Sequence, residues 1–298
     1  VYFDTKIFTD TNGFRSSNEE KSEDGSILAI GDSWTFGYGV NYEETYPFYL
    51  SKLLDEPVYN SGVPAYGSAS NYLNAKSNIE MLRPKTVIYL TLGMYRRSFC
   101  LKPWDDYISL HQKQLIPCYL IDQSTSKVKL MKPLPGIVEE SVGQNIYPGG
   151  SLTAGYDSFW RYAFLTKPKL VIQDLKERIG LAPIKIASKE ESYQIKKNEL
   201  NSLLGLANKY NFQFVLIDPL GQYNQIILNN HVNNPQNLLY IGKDTWDMEV
   251  INKSTGLPSQ DRYVPMDGHF GKGMNRLIAN LVYKEILANN SDSIGLIE

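Results

Sequence analysis

Ile27-Leu28-Ala29-Ile30-Gly31-Asp32-Ser33-Trp34-Thr35-Phe36-Gly37 is the stretch from which the rest of the chain can be read. Its short apolar run, 27–30, has the length and composition of a buried strand. The run stops at Gly31-Asp32-Ser33, where small and polar residues turn the chain, and Gly37 and Gly39 follow. An amphipathic helix is expected over about 45–54, with Pro47 in its first turn. A serine between a buried strand and a helix projects its hydroxyl from the carboxyl edge of a sheet, where open α/β folds place ligands. The same letters would also serve a plain turn made by Asp32 and Ser33, and the stretch alone does not separate the two.

Further along, Val58-Tyr-Asn-Ser-Gly-Val63 reads as a second strand ending in Ser61-Gly62. Ser68 is the expected cap of the next helix, on which Tyr72, Ala75, Ile79 and Leu82 fall at helical intervals and which stops before Pro84. Thr86-Val-Ile-Tyr-Leu-Thr-Leu92 is the clearest buried strand and ends at Gly93. From Tyr95 to about Lys185 the periodicity dissolves into proline, glycine and aromatic residues, including Trp104, Pro133, Gly149-Gly150 and Trp160. So long an irregular stretch is expected to be an insertion, at about 96–188, packed over one face of a single domain spanning 1–298. Periodicity returns in a helix over about 190–210, a strand Phe212-Gln-Phe-Val-Leu-Ile217 closed by Asp218-Pro219, a short strand Leu238-Leu-Tyr-Ile241, and a final helix over about 271–288. Residues 1–25 are polar, with a turn signal at Thr11-Asn-Gly-Phe-Arg15, and read as irregular. This alternation of strand and helix predicts an α/β fold, a parallel sheet sandwiched by helices. Right-handed crossovers would then bring the loops after Gly31, Gly62, Gly93 and Asp218 to one edge.

Composition narrows the function classes. The 298 residues are 42% hydrophobic and 21% charged, the balance of an ordinary globular chain large enough for a full core. Thirty basic against 32 acidic residues leave a formal net charge of −2, and no basic run is dense enough for a nucleic-acid partner. No run approaches the length of a membrane span. No signal peptide is visible, and the abrupt start at Val1-Tyr-Phe-Asp leaves room for a trimmed upstream segment. Cys100 and Cys118 lack zinc-type spacing; a disulfide in an oxidising compartment and a pair of buried thiols are both open. Gly37-Tyr-Gly39 lacks the lysine of a phosphate loop and the third glycine of a dinucleotide fingerprint, and no metal-ligand cluster or cofactor motif is present.

The chain has three histidines. A serine hydroxyl needs an adjacent base, usually a histidine held by a carboxylate. His269, in Tyr263-Val-Pro-Met-Asp-Gly-His-Phe-Gly271, has Asp267 two residues earlier and is the best candidate. His231, in an asparagine-rich stretch, reads as a solvated loop residue, and His111 as a surface or capping residue of the insertion.

Gly31-Asp32-Ser33 after a first strand, Gly62 after a second, and Asp267-Gly-His269 before the last helix resemble the sequence blocks of the SGNH, or GDSL-type, hydrolases. With Gly13-Phe-Arg15 upstream and Trp34-Thr-Phe-Gly37 downstream, the context is similar to bacterial members linked to surface carbohydrate acylation. The resemblance covers about 10–95 and 190–288, leaving out the insertion. It implies a flavodoxin-like three-layer α/β/α sandwich and a serine esterase or O-acyltransferase acting on a small-molecule or polysaccharide acyl ester. Ser33 would be the nucleophile, His269 the base and Asp267 its orienting acid, with the backbone N–H groups of Ser33 and Gly62 as oxyanion donors. No cofactor is implied, and a periplasmic or cell-surface location is. Two departures stand out. The acid and base are two residues apart instead of the usual three, a spacing familiar among bacterial members. The third block, usually glycine, any residue, asparagine, is here Gly93-Met94-Tyr95-Arg96-Arg97. Either Tyr95, Arg96 or Arg97 substitutes for the asparagine, or the oxyanion hole has backbone donors only; Arg96 and Arg97 are also candidates to bind an anionic group on substrate. Losing one such donor typically costs about 2.7–4 kcal/mol of transition-state stabilisation. A non-catalytic carbohydrate-binding or assembly domain that retained the fold is the alternative.

Overall fold

A computed structural model describes residues 4–17, 27–64, 66–91, 118–122, 127–131, 189–229, 231–232, 235–265 and 267–294. The chain divides into two compact units, Val1–Met94 with Lys196–Glu298, and Tyr95–Ile195.

The first unit is built on the strand that the opening stretch predicts. β3 (Ile27–Gly31) is buried at every residue. Parallel to it run β4 (Val58–Gly62) on one side and β5 (Thr86–Leu90) on the other, then β8 (Gln213–Ile217) and β9 (Leu238–Ile241). In register, Gly31 lies between Gly62 and Leu90, Leu90 beside Ile217, and Ile217 beside Ile241. All five carboxyl ends therefore form one edge.

Two short antiparallel strands extend this parallel core at the β4 edge, so the seven-stranded sheet as a whole is mixed. Two-residue strands β1 (Phe8–Thr9) and β2 (Arg15–Ser16) pair antiparallel with each other, and β2 pairs antiparallel with β4 at Arg15 and Asn60. The seven strands run in the order β1-β2-β4-β3-β5-β8-β9. Residues 4–17 are thus a hairpin. Its turn is closed by Asp10 Oδ1, which accepts from the Asn12 and Phe14 amides at 2.8 and 2.9 Å.

Helices cover both faces. Ile27 and Ala29 of β3 point, with Ile88, Leu90, Val215 and Ile217, into a cluster with α2 (Tyr46–Leu54) and the C-terminal helix α6 (Lys272–Ile294). Leu28 and Ile30, also fully buried, alternate to the other face. There α3 (Ser68–Leu82) packs on β3, and α4 (Lys189–Tyr210) reaches β5 through Glu199 and Tyr89. Burying a large apolar side chain contributes about 1.5–3 kcal/mol, so this two-faced core is what holds the strand ends in register. Thr45 caps α2 by accepting from the Phe48 amide at 3.4 Å, and Pro47 occupies its first turn. Gly67 is the N-cap of α3; Ser68, the expected cap, is its first residue, and its hydroxyl goes to Glu199 instead. Between β8 and α6 lie α5 (Asn224–Leu228) and a run of short helical segments that includes a π-helical turn, Asp247–Ile251. None of the described helices is long and apolar enough to cross a membrane.

In the second unit, β6 (Cys118–Asp122) and β7 (Lys127–Met131) pair antiparallel from Cys118 opposite Met131 to Asp122 opposite Lys127. The segment expected to be irregular therefore contains a regular hairpin. Gly93, Tyr95, Arg96, Arg97, Cys100 and His111 lie outside the described residues, and with them the expected third oxyanion donor and the pairing of Cys100 with Cys118.

Candidate active site

Ser33 is the first residue of α1 (Ser33–Phe36), a single turn that starts as soon as β3 leaves the sheet. Asp32 caps this turn by accepting from the Trp34 amide at 3.0 Å. The amides of Gly37 and Tyr38 both return to the Ser33 carbonyl, at 3.0 and 2.9 Å, with Gly37 in the left-handed region at φ 79°. Glycine is required at position 31 because a Cβ there would lie 2.2 Å from Thr35 Oγ1. The nucleophile candidate thus sits on a tight strand-to-helix turn, with Ser33 itself 7% exposed.

His269 comes from the other end of the chain, in the loop before α6. An antiparallel bridge between Tyr263 and Phe270 closes this loop, together with the Val264 amide on the His269 carbonyl at 2.8 Å. Gly268, at φ 87°, folds Asp267 back so that its Oδ1 accepts from the His269 amide at 3.3 Å. Asn275 ties the base of the loop to α2: its Nδ2 donates to the Phe270 and Gly271 carbonyls, and its Oδ1 accepts from the Tyr46 amide. Gly39 gives the loop room to approach, since a Cβ there would lie 2.8 Å from both methyls of Val264.

These elements bring Ser33, His269 and Asp267 together, although 236 positions separate serine from histidine. His269 Nε2 is 2.7 Å from Ser33 Oγ, and Nδ1 is hydrogen-bonded to Asp267 Oδ1. An ionised carboxylate only accepts, so Nδ1 carries the proton and Nε2 is left to accept from the serine hydroxyl. The imidazole is flanked by Trp34 and Tyr38, with ring centroids 4.9 and 5.0 Å away. Trp34 also meets Phe270 edge-on, and Phe270 packs on Trp246. These aromatics lie next to the motif letters, yet nothing in the sequence pattern marked them as the walls of the histidine.

The Gly62 amide, the second expected oxyanion donor, lies at the end of β4. It donates to Asn60 Oδ1 at 3.1 Å, in a bond across two residues. Gly62 is needed for packing: a Cβ there would lie 2.3 Å from the Phe36 nitrogen. His231 follows α5, with its amide on the Ile226 carbonyl and its carbonyl accepting from Asn201. Among the described residues, no group of three or more His, Cys, Asp or Glu side chains is placed to hold a metal ion.

No protein-family model and no curated protein matches the chain. Among solved structures, the chain is similar to a putative lipolytic protein of the G-D-S-L family from Desulfitobacterium hafniense. The identity is 14%, covering 87% of this chain and 98% of that one, with a TM-score of 0.40. It is also similar to a psychrotrophic esterase from Pseudoalteromonas, at 13% identity over 89% of this chain and 98% of that one, TM-score 0.42. A family 3 carbohydrate esterase from Clostridium thermocellum is similar at 12% identity over 90% and 98%, TM-score 0.39.

Proposed function

We propose that this chain is a serine ester hydrolase or O-acyltransferase of the SGNH type, acting outside the cytoplasm on acylated carbohydrate. One observation carries the chemistry: Ser33 Oγ, both nitrogens of His269 and Asp267 Oδ1 form a continuous hydrogen-bonded line at the carboxyl edge of the sheet. In the proposed reaction, Ser33 Oγ attacks the ester carbonyl while His269 Nε2 takes its proton. Collapse of the tetrahedral intermediate expels the alcohol, which leaves with that proton, and the acyl group stays on Ser33. A second acceptor hydroxyl, of water or of a sugar, then gives its proton to His269 and attacks the acyl-enzyme. Water yields the carboxylic acid and a sugar yields a new ester, with Ser33 regenerated in both cases. Asp267 holds the imidazole in the reactive tautomer and stabilises its charged form. The carbohydrate substrate follows from the sequence resemblance and not from the triad geometry, which fits any accessible acyl ester.

Hydrolysis of p-nitrophenyl acetate by the purified protein and by Ser33→Ala tests the reading. Removing one hydroxyl from a strand-end turn leaves the fold intact and removes the nucleophile, so turnover should fall to the background rate. Turnover by the variant close to wild type would overturn the assignment, and an inert wild type with its fold intact would favour a binding domain.

A further inference from the structure

Arg15 is 3% exposed, an unusual position for a guanidinium, and its guanidinium donates to three backbone carbonyls. Its Nη1 donates to the Phe36 carbonyl at 2.7 Å and to the Gly37 carbonyl at 2.5 Å, and its Nη2 to the Val40 carbonyl at 2.5 Å. The guanidinium carbon also stands 4.5 Å from the centre of the Phe36 ring. Beside it, Asn60 donates through Nδ2 to the Thr35 carbonyl at 3.0 Å and the Phe36 carbonyl at 3.5 Å. Arg15 and Asn60 face each other across the β2–β4 pairing. Together they occupy the carbonyls at the end of α1 and in the loop that follows it.

That loop has three connections to the candidate triad. The amides of Gly37 and Tyr38 hold the Ser33 carbonyl. The Tyr38 ring packs on His269. Gly39 abuts Val264, in the loop that carries Asp267 and His269. Fixing the loop therefore fixes both the nucleophile and the base.

We infer that Arg15, with Asn60, is a positioning residue of the proposed esterase site: it clamps the 36–40 loop and through it sets the distance from Ser33 to His269. This rests on the reading of Ser33 and His269 as nucleophile and base. It also gives the two-residue strands β1 and β2 a purpose, delivering a buried cation to the rear of the nucleophile turn. A cation at the carbonyl end of a helical turn is favourably placed. Burial pulls the guanidinium down to about 10, partly offset by Glu43 and Tyr42, so it stays charged at neutral pH. Lysine, a point charge with one nitrogen, cannot span three carbonyls as the planar fork does.

Arg15→Ala and Arg15→Lys, compared with Leu204→Ala in the buried face of α4, provide the test. Leu204→Ala is a control for lost stability remote from the site. Misplacing a reacting group by about 1 Å costs roughly 100-fold in rate. Arg15→Ala should therefore lower kcat about 100-fold with KM changed less than about twofold, while Leu204→Ala leaves kcat unchanged below its unfolding temperature. Arg15→Lys should stay closer to Arg15→Ala than to wild type, and millimolar guanidinium should restore turnover to Arg15→Ala where ammonium does not. Hydrogen exchange supplies an arm that needs no activity: in Arg15→Ala, peptides covering 33–40 should exchange faster while those covering 213–217 stay protected. Full activity in Arg15→Ala, or a loss matched by Leu204→Ala, would overturn the inference. If wild type were inert the esterase reading would fall by itself, and unchanged exchange at 33–40 would still refute the clamp.

Discussion

A single imidazole joins Ser33 to Asp267, and each of its nitrogens has one task. Nδ1 faces the carboxylate and Nε2 faces the serine hydroxyl. An asparagine at 267 would keep the size of the side chain but present an amide donor to Nδ1, favouring the tautomer in which Nε2 is protonated and useless as a base. Asp267→Asn should lower kcat/KM on p-nitrophenyl acetate about 10⁴-fold, the size of the effect in serine proteases. His231→Ala, at the end of α5, should leave it unchanged; the reverse order would mean that another histidine is the base. Asp267 and His269 stand out in the sequence because they lie two residues apart before a helix, and Ser33 because it ends an apolar run; that the fold brings the two places together across 236 positions is visible only in the structure. Arg15 was legible only as part of a resemblance. Its partners are carbonyls, which every residue has, so its role appears only once the chain is folded. The Gly62 amide, expected to be an oxyanion donor, is held by a local partner, the side chain of Asn60 two residues before it.

At the scale of elements, the active edge depends on close approaches that glycine allows. Gly39 combines φ 84° with 2.8 Å between a built Cβ and the Val264 methyls. Gly39→Ala should cost about 1–2 kcal/mol for the left-handed backbone alone. It should also lower kcat by pushing the Val264 loop, and with it His269, away from Ser33. Adding Val264→Ala should recover part of the lost kcat but none of the backbone cost, as measured by kinetics beside urea unfolding; a double variant no faster than the single one would contradict the contact. Four of the five parallel strands are legible as short apolar runs closed by glycine or by Asp218-Pro219, and the fifth, Val58–Gly62, by its position before Ser61-Gly62. The hairpin strands β1 and β2 are not, since two residues are too few to show an alternating pattern. Strand β7 alternates in Lys127-Val-Lys-Leu, but the Pro133-Leu-Pro-Gly136 that follows obscures its signal. Ser68 has the residue type of a cap, but the extended backbone of Gly67 holds that place and frees the hydroxyl for Glu199.

At the scale of the whole molecule, Glu199 stands out among the buried ionisable groups of the described residues that the proposed reaction does not use. Glu199 on α4 is fully buried and accepts from the hydroxyls of Tyr223 at 2.8 Å and Tyr89 at 3.3 Å, with Ser68 as a further partner. Burial pushes its carboxyl from 4.5 up to about 7, opposed by those hydrogen bonds and by Lys196. Between these values the folded protein holds a proton that the unfolded chain has released, so stability falls as pH rises across that window and levels off above it. The drop should be on the order of 3 kcal/mol in urea unfolding between pH 5 and 8. Glu199→Gln should remove most of it. Asp218, also raised by burial, slopes the same way in both proteins, so the difference between the two curves is the readout, and parallel curves would refute it. In the proposed reaction Ser33 is an activated nucleophile. Incubating the intact protein with a fluorophosphonate and mapping the adduct by mass spectrometry tests that activation most directly. A single stoichiometric adduct on Ser33, absent from His269→Ala and from protein unfolded before labelling, is predicted; an unlabelled native protein, or an adduct on another residue, would contradict it.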